Sequence, residues 1–434
     1  MKVVIIGSGP AGIVASHLIK KLKPETSVTI ITKEECIVVR CSEVYAIAGE
    51  TEIEKIIKPD KVITSVGVEL VRDEVIEVDI KNKKLKTKNG KEFIYEYLVF
   101  ATGSRPFKPS IPGAELENVF TIRTVEDVRR IKQAIQNTKN LVIIGGGMIG
   151  VELATLLSNK MNVTLIELLP HLLYGAYDNE FCKLIENRLK ESGVEILTGK
   201  KIEEIKGGNK VESVIVEGKE IKADMVIFAT GVRANKELAE NAGIQTGKFG
   251  IKVNERMETN MENVYAIGDC TESFSAITNK PMPCGLVSTA IAQAKVAGMN
   301  ICNMEAKFEG VIAPSVTKIF DITLGRVGLT ERMAREEGID VLVGSFEGLN
   351  KYDTQKNSKP LILKLVFNKN HELIGGEVLT SGNVVASIID FLSFVILKRI
   401  KGEELKKLRY SAHPELTPLP FFNAIVNATE EALG

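Results

Sequence analysis

Two glycine-rich loops carry the strongest chemical signal in the chain. Gly7-x-Gly9-x-x-Gly12 and Gly145-x-Gly147-x-x-Gly150 stand about 140 residues apart, and each follows an apolar run and precedes a helical stretch. In such a loop the first glycine permits a tight turn, and the second lets phosphate oxygens approach the backbone. The third lets helix and strand pack closely, and the helix N-terminus offers amides and a partial positive charge to a pyrophosphate. Pro10, Ala11 and Ile149 fill the intervening positions of these loops. Glu167 lies 22 residues past Gly145, at the end of the run Val163-Thr164-Leu165-Ile166. A carboxylate there bonds a ribose 2′-hydroxyl and repels a 2′-phosphate, so the second loop is expected to prefer NADH to NADPH. The first loop is less regular. Its second strand runs into Thr32-Lys33-Glu34, where the expected acid is replaced by Thr32 or displaced to Glu34.

Each loop needs strands to hold it, and the pattern supplies them twice. Val3–Ile6 and Val28–Ile31 flank the first loop; Leu141–Ile144 and Val163–Ile166 flank the second. The first module closes on Tyr97-Leu98-Val99-Phe100 and Ala101-Thr102-Gly103, the second on Met225-Val226-Ile227-Phe228 and Ala229-Thr230-Gly231. This is a duplicated nucleotide-binding unit. Insertions lie between, with turns at Asn89-Gly90 and at Gly207-Gly208-Asn209. A further strand, Val264-Tyr265-Ala266-Ile267, runs into Gly268-Asp269. From about Ser315 the pattern changes to strands at 317–327, 341–345 and 361–367, then helices from Asn383 onward. The expected architecture is α/β: two Rossmann-like domains, the second inserted in the first, followed by an α+β domain. The boundaries read as 1–110 with 245–314, then 111–244, then 315–434.

Composition excludes several classes. Lys and Arg total 56, Asp and Glu total 56, and the net charge is zero, so no basic surface for nucleic acid is expected. Hydrophobic residues at 44% and charged residues at 26% describe a packed globular chain rather than a disordered one. Six cysteines are too few for a secreted disulfide framework, and a cytoplasmic setting is expected. The run Val384–Leu397 contains Ser387, Asp390 and Ser393 and is too short to cross a bilayer. It reads as a helix buried in a core or a subunit interface. Cysteines and histidines lack the paired short spacings of a zinc site, so no metal is expected.

Taken in order, these motifs resemble the pyridine nucleotide-disulfide oxidoreductases that carry FAD and a nicotinamide dinucleotide. The resemblance covers essentially the whole chain. It implies FAD on the first module, NAD(P)H on the second and a C-terminal dimerisation domain, giving a homodimer or a dimer of dimers. It also implies that Asp269 accepts a bond from the flavin's ribityl chain, and that Glu152 lies near the nicotinamide amide. The helix after Gly285 would then face the flavin pyrimidine ring and stabilise negative charge there.

Cysteine usage separates branches of this family. Cys41-Ser42-Glu43-Val44-Tyr45 resembles the single-cysteine branch of coenzyme A-disulfide reductases, NADH oxidases and persulfide reductases, with Val44 in place of a proline. Cys36 lies five residues earlier, so the dithiol spacing Cys-x-x-x-x-Cys fits as well. Residues Ile37-Val38-Val39-Arg40 between them lack the glycines usual in that pair. Cys41 also opens a helix-like stretch, Ser42–Ala48, beside Arg40, and both features favour a thiolate. Cys182, Cys270, Cys284 and Cys302 read as small buried residues. Near the C-terminus, Tyr410-Ser411-Ala412-His413-Pro414 resembles a segment that in relatives reaches the partner subunit's flavin, so Tyr410 and His413 are catalytic candidates. His413 lacks the glutamate five residues on, where Pro418 stands. The reading is an NADH-oxidising flavoenzyme that passes electrons through Cys41 to a disulfide, sulfur or oxygen acceptor. Coenzyme A is a candidate ligand of Lys20, Lys21 and Lys23. The alternatives are a dithiol reductase using Cys36, Cys41 and His413, and a reductase of a small redox protein.

Overall fold

A computed structural model describes every residue from Met1 to Gly434. The chain divides into two units: residues 1–107, 122–132 and 231–311 form one, and residues 108–121, 133–230 and 312–434 the other.

In the first unit, buried apolar runs pair as a five-stranded parallel sheet. The order is Val264–Ala266, Tyr97–Phe100, Lys2–Ile6, Ser27–Thr32, Glu69–Arg72. Strands covered on both faces read as continuous apolar runs, which is why Val3–Ile6 and Leu98–Phe100 lack alternation. Helix Pro10–Leu22 leaves the first strand through the glycine loop and packs against helix Val287–Ile301. Residues 231–244, read from sequence as part of the second module, pack in this unit: Val232–Ala234 pairs antiparallel with Ser104–Pro106.

The second unit repeats the parallel sheet, in the order Val119–Thr121, Met225–Phe228, Asn140–Ile144, Asn162–Ile166, Glu195–Leu197. It also holds the antiparallel C-terminal sheet, Ser315–Ile319, Ile322–Gly328, Leu373–Thr380, Pro360–Asn368, Val341–Leu349. The stretch 317–327, read as one strand, is a hairpin instead: Phe320 at φ 53° reverses the chain. The strand Leu373–Thr380 was not visible in the sequence pattern, because Gly375 and Gly376 interrupt its apolar run.

The two faces of this sheet differ. Helices Val384–Leu397 and Ala424–Leu433 cover one face, and glycines let them approach. A Cβ on Gly325 would lie 2.6 Å from Val385, and one on Gly344 would lie 1.8 Å from the Ala428 carbonyl. Across the other face runs a row of ionisable side chains, Arg326, Glu377 and Lys364, directly opposed on adjacent strands. It meets the segment of the second nucleotide module between strand Asn162–Ile166 and helix Asn179–Glu191. Lys364 pairs with Asp178 at 2.8 Å and Glu331 at 2.8 Å, and Arg326 donates to the Ala176 carbonyl. The Asp178 amide donates to Glu377 at 2.8 Å. No helix in the chain is long and apolar enough to cross a membrane.

Burial, and then the Asp178 charge, push the Glu377 carboxyl well above the ordinary carboxylate range. A group held protonated in the fold and ionised when unfolded stabilises the fold fully below the ordinary carboxylate pKa, and that stability is lost as pH rises. Glu377→Gln removes this dependence. Its thermal midpoint should exceed wild type by about 2–4 °C at pH 8, and the difference should vanish toward pH 4, as read by calorimetry.

Candidate active site

The two glycine loops fold alike, for the same steric reason. Gly7 adopts φ +117°, and a Cβ there would lie 2.1 Å from the carbonyl oxygen of Ala101. Gly145 adopts φ +111°, with its Cβ position 2.4 Å from the Ala229 carbonyl. A side chain at either position would push the Ala-Thr-Gly strand end away from the loop. Gly12 and Gly150 each approach the carbonyl of the first glycine, at 2.2 Å and 2.0 Å from their Cβ positions. Gly9 and Gly147 differ: nothing lies within 4 Å of their Cβ positions. That open space stands at the N-termini of helices Pro10–Leu22 and Met148–Leu157, where a pyrophosphate fits. Both loops thus fit a dinucleotide.

Around the first loop, Ser8 donates to the buried Thr32 hydroxyl at 2.9 Å, and that hydroxyl also accepts from the Glu34 amide. Thr32 therefore locks the loop, and Glu34 is the partly exposed acid that follows it. Glu34 pairs with Arg40, and Lys33 pairs with Glu74. Ser104 donates to Asp269 at 3.0 Å, and the Gly268 amide donates to Gln293 at 2.8 Å. Asn235 clasps Thr102 through two hydrogen bonds, at 2.7 and 2.8 Å. Neither Gln293 nor Asn235 carried a sequence signal, because each acts on a motif far away in the chain.

In the second module, Glu167 accepts from the Gly146 amide at 2.6 Å and the Leu169 amide at 2.8 Å. The carboxylate is thereby fixed beside the glycine loop. Glu152, on helix Met148–Leu157, accepts from the Thr317 hydroxyl at 2.7 Å. Burial raises its pKa, and the Thr317 bond opposes that rise.

Among the six cysteines, Cys41 alone is exposed. It sits in a 3₁₀ turn, Arg40–Ser42, that leads into helix Glu43–Ala48, so the helix-like stretch begins one turn tighter than expected. Cys36 lies in a bend on the far side of the short strand Ile37–Val38, and burial raises its thiol pKa. Burial pushes Cys182 and Cys284 up to about 12. Arg40 is engaged by other groups. Its guanidinium pairs with Glu34 and with Glu43 at 3.5 Å, and also donates to the Arg123 carbonyl. Glu43 is buried, and desolvation lifts its pKa to about 7 against the pull of Arg40 and Arg123.

The C-terminal candidates lie in the second unit. Tyr410 donates to the Pro420 carbonyl and is 43% exposed. His413 is exposed, and its Nδ1 accepts from the Glu415 amide at 3.2 Å, which leaves the proton of the neutral ring on Nε2. A backbone amide thus orients this ring where no carboxylate does. Lys20 is engaged by the carbonyls of Pro24 and Thr26, leaving Lys21 and Lys23 as the free cations of that run.

The profile of pyridine nucleotide-disulphide oxidoreductases matches residues 1–299, and that of their dimerisation domain matches residues 314–419. The chain belongs to this family. A relative named NADH oxidase, from Methanocaldococcus jannaschii, is 37% identical over 429 residues, covering 96% of each chain. An NAD(P)H coenzyme A polysulfide/persulfide reductase from Pyrococcus horikoshii is 36% identical, covering 88% of this chain and 87% of its own. The solved NAD-dependent persulfide reductase from A. fulgidus superposes with a TM-score of 0.94 at 31% identity, over 100% of this chain and 83% of that one. As a pyridine nucleotide-disulphide oxidoreductase the chain is an enzyme that uses FAD and NAD(P)H.

Two outcomes follow from the loop geometry. Gly9→Leu should fold with an unchanged thermal midpoint measured without cofactor, because the space is open and the backbone extended, yet lose at least about tenfold in FAD affinity by fluorescence titration. Glu167→Ala should reduce the ratio of kcat/KM for NADH over NADPH by about tenfold, mostly through NADH, the outcome expected of a carboxylate that bonds a ribose hydroxyl.

Proposed function

We propose that the enzyme uses NADH to reduce a sulfur–sulfur bond in a small molecule, with coenzyme A persulfide or disulfide as the substrate class and Cys41 as the reacting thiol. The observation that carries this reading is the exposure of Cys41 while every other thiol is partly or wholly buried. The Pyrococcus and A. fulgidus relatives, whose names specify persulfide or polysulfide, support it. FAD, when bound, carries the two electrons of NADH to the thiol.

The Cys41 thiolate attacks one substrate sulfur. A Cys41–sulfur bond forms, the substrate S–S bond breaks, and one thiolate leaves and takes a proton. Two electrons from NADH then break the Cys41–sulfur bond, which restores the Cys41 thiolate and releases the second thiol. The balance is NADH + H⁺ + R–S–S–R′ → NAD⁺ + R–SH + R′–SH. On the FAD side, Gly7, Gly9 and Gly12 are assigned to the pyrophosphate, with Asp269, held by Ser104, on the ribityl chain. On the NADH side, Gly145, Gly147 and Gly150 are assigned to the pyrophosphate, with Glu167 on the ribose and Glu152 near the nicotinamide amide. Lys21 and Lys23 are assigned to a coenzyme A phosphate. Oxygen as acceptor is the second reading, favoured by the Methanocaldococcus relative. A reducing cytoplasm suits an enzyme whose exposed thiol must stay unpaired.

The proposal extends to a homodimer whose sites combine Cys41 of one chain with Tyr410 or His413 of the other. Leu416 and Phe421 near these residues are 71% and 84% exposed, and a partner subunit would cover them.

Purified wild type should turn over NADH fastest with coenzyme A persulfide or disulfide in a panel that includes oxygen. Cys41→Ser should keep FAD and its reduction by NADH, yet lose at least about a hundredfold in sulfur-acceptor turnover. Full turnover by the serine variant would overturn the assignment. Mixing Cys41→Ser chains with chains that carry both Tyr410→Phe and His413→Ala should restore about one working site per heterodimer, whereas a fully active monomer by light scattering would exclude a shared site.

A further inference from the structure

One hydrogen bond crosses from the second nucleotide module to the first strand of the C-terminal sheet at a point where chemistry is expected. Glu152 stands five residues past Gly147 on the helix that the NADH loop starts. Its carboxyl is partly buried, and a buried carboxylate without a partner is costly. The Thr317 hydroxyl, itself only 4% exposed on strand Ser315–Ile319, donates to Glu152 Oε1 at 2.7 Å. Burial and this hydroxyl are the two influences that act on the carboxyl. A glutamate has three side-chain torsions to order, and a fixed donor at one oxygen orders them before any ligand arrives. The second oxygen, Oε2, is left to accept another hydrogen bond.

We propose that Thr317 is a positioning residue for the nicotinamide end of the NADH site: its hydroxyl holds Glu152 so that the free carboxylate oxygen accepts an N–H of the nicotinamide carboxamide. This rests on the placement of Glu152 given under the proposed function. It makes the C-terminal domain a supporting part of the dinucleotide site as well as a dimerisation element. A methyl in place of the hydroxyl would keep the volume of residue 317 and lose the bond.

The test is calorimetric titration of the FAD-loaded enzyme with NAD⁺ and, separately, with ADP-ribose, which has no nicotinamide. Thr317→Val should weaken NAD⁺ binding about five- to tenfold and leave ADP-ribose unchanged. Thr317→Ser, which keeps the hydroxyl, should bind NAD⁺ as wild type does. Glu152→Ala should weaken NAD⁺, and adding Thr317→Val to it should cost nothing further. Wild-type NAD⁺ affinity in Thr317→Val, beside a weakened Glu152→Ala, would overturn the role of Thr317 and leave that of Glu152 standing. Unchanged affinity in Glu152→Ala would instead overturn the placement of Glu152, and this inference with it. Equal loss for NAD⁺ and ADP-ribose in Thr317→Val would mark a general packing defect and also overturn it. FAD content and the thermal midpoint confirm folding, and Thr317→Ala serves if the valine variant does not fold.

Discussion

A carbonyl oxygen lodged against a glycine that has no Cβ is the contact on which both glycine loops depend. Ala101 meets Gly7 and Ala229 meets Gly145, each closer than any side chain would allow. The contact draws the Ala-Thr-Gly strand end beside the glycine turn, and it aims the following helix at open space. The remaining site groups are arranged around this junction. Asn235 ties down Thr102 just past the contact, and Ser104, two residues further, reaches Asp269. Because the same geometry occurs twice, one steric rule builds both loops.

Cys41 is exposed, and the cation next to it in the chain is engaged by other groups. Arg40 is adjacent to Cys41, yet its charge is divided between Glu34 and Glu43. Glu43 is pulled two ways, with burial favouring its neutral form and Arg40 and Arg123 favouring the anion, so its carboxyl titrates near pH 7. Cys36 differs from Cys41 in being partly buried, and burial raises its thiol pKa.

The C-terminal sheet does two physical tasks with two faces. Glycines on one face bring helices Val384–Leu397 and Ala424–Leu433 into contact with the strands. On the other, Lys364 and Arg326 neutralise the carboxylates and carbonyls of the segment around Asp178. Buried charges of this kind hold a register more than they add stability, since desolvation offsets much of the attraction. Removing one partner is the costly event. The same unit supplies Thr317 to Glu152, so the strands that anchor the second nucleotide module also reach the helix after its glycine loop.

By itself the sequence determined the parts whose signal is local. Apolar runs before Gly7 and Gly145, the spacing to Glu167, the Ala-Thr-Gly ends and Gly268-Asp269 sit within a few residues of the elements they define, so periodicity and turn chemistry reveal them. Helix Val384–Leu397 was legible for the same reason, with both ends as expected. Only the tertiary structure decided which distant groups meet. Thr317 reaches Glu152 across 165 positions, and Asn235 reaches Thr102 across 133. Residues 231–244 join the first unit by pairing with Ser104–Pro106, although they directly follow the second module in the chain. Phe320 turned one expected strand into a hairpin through a positive φ that no neighbouring residue announces. Hydrogen-bond partners far apart in the chain leave no periodic trace, because any polar residue at the right point in space can satisfy a buried carboxylate or carbonyl.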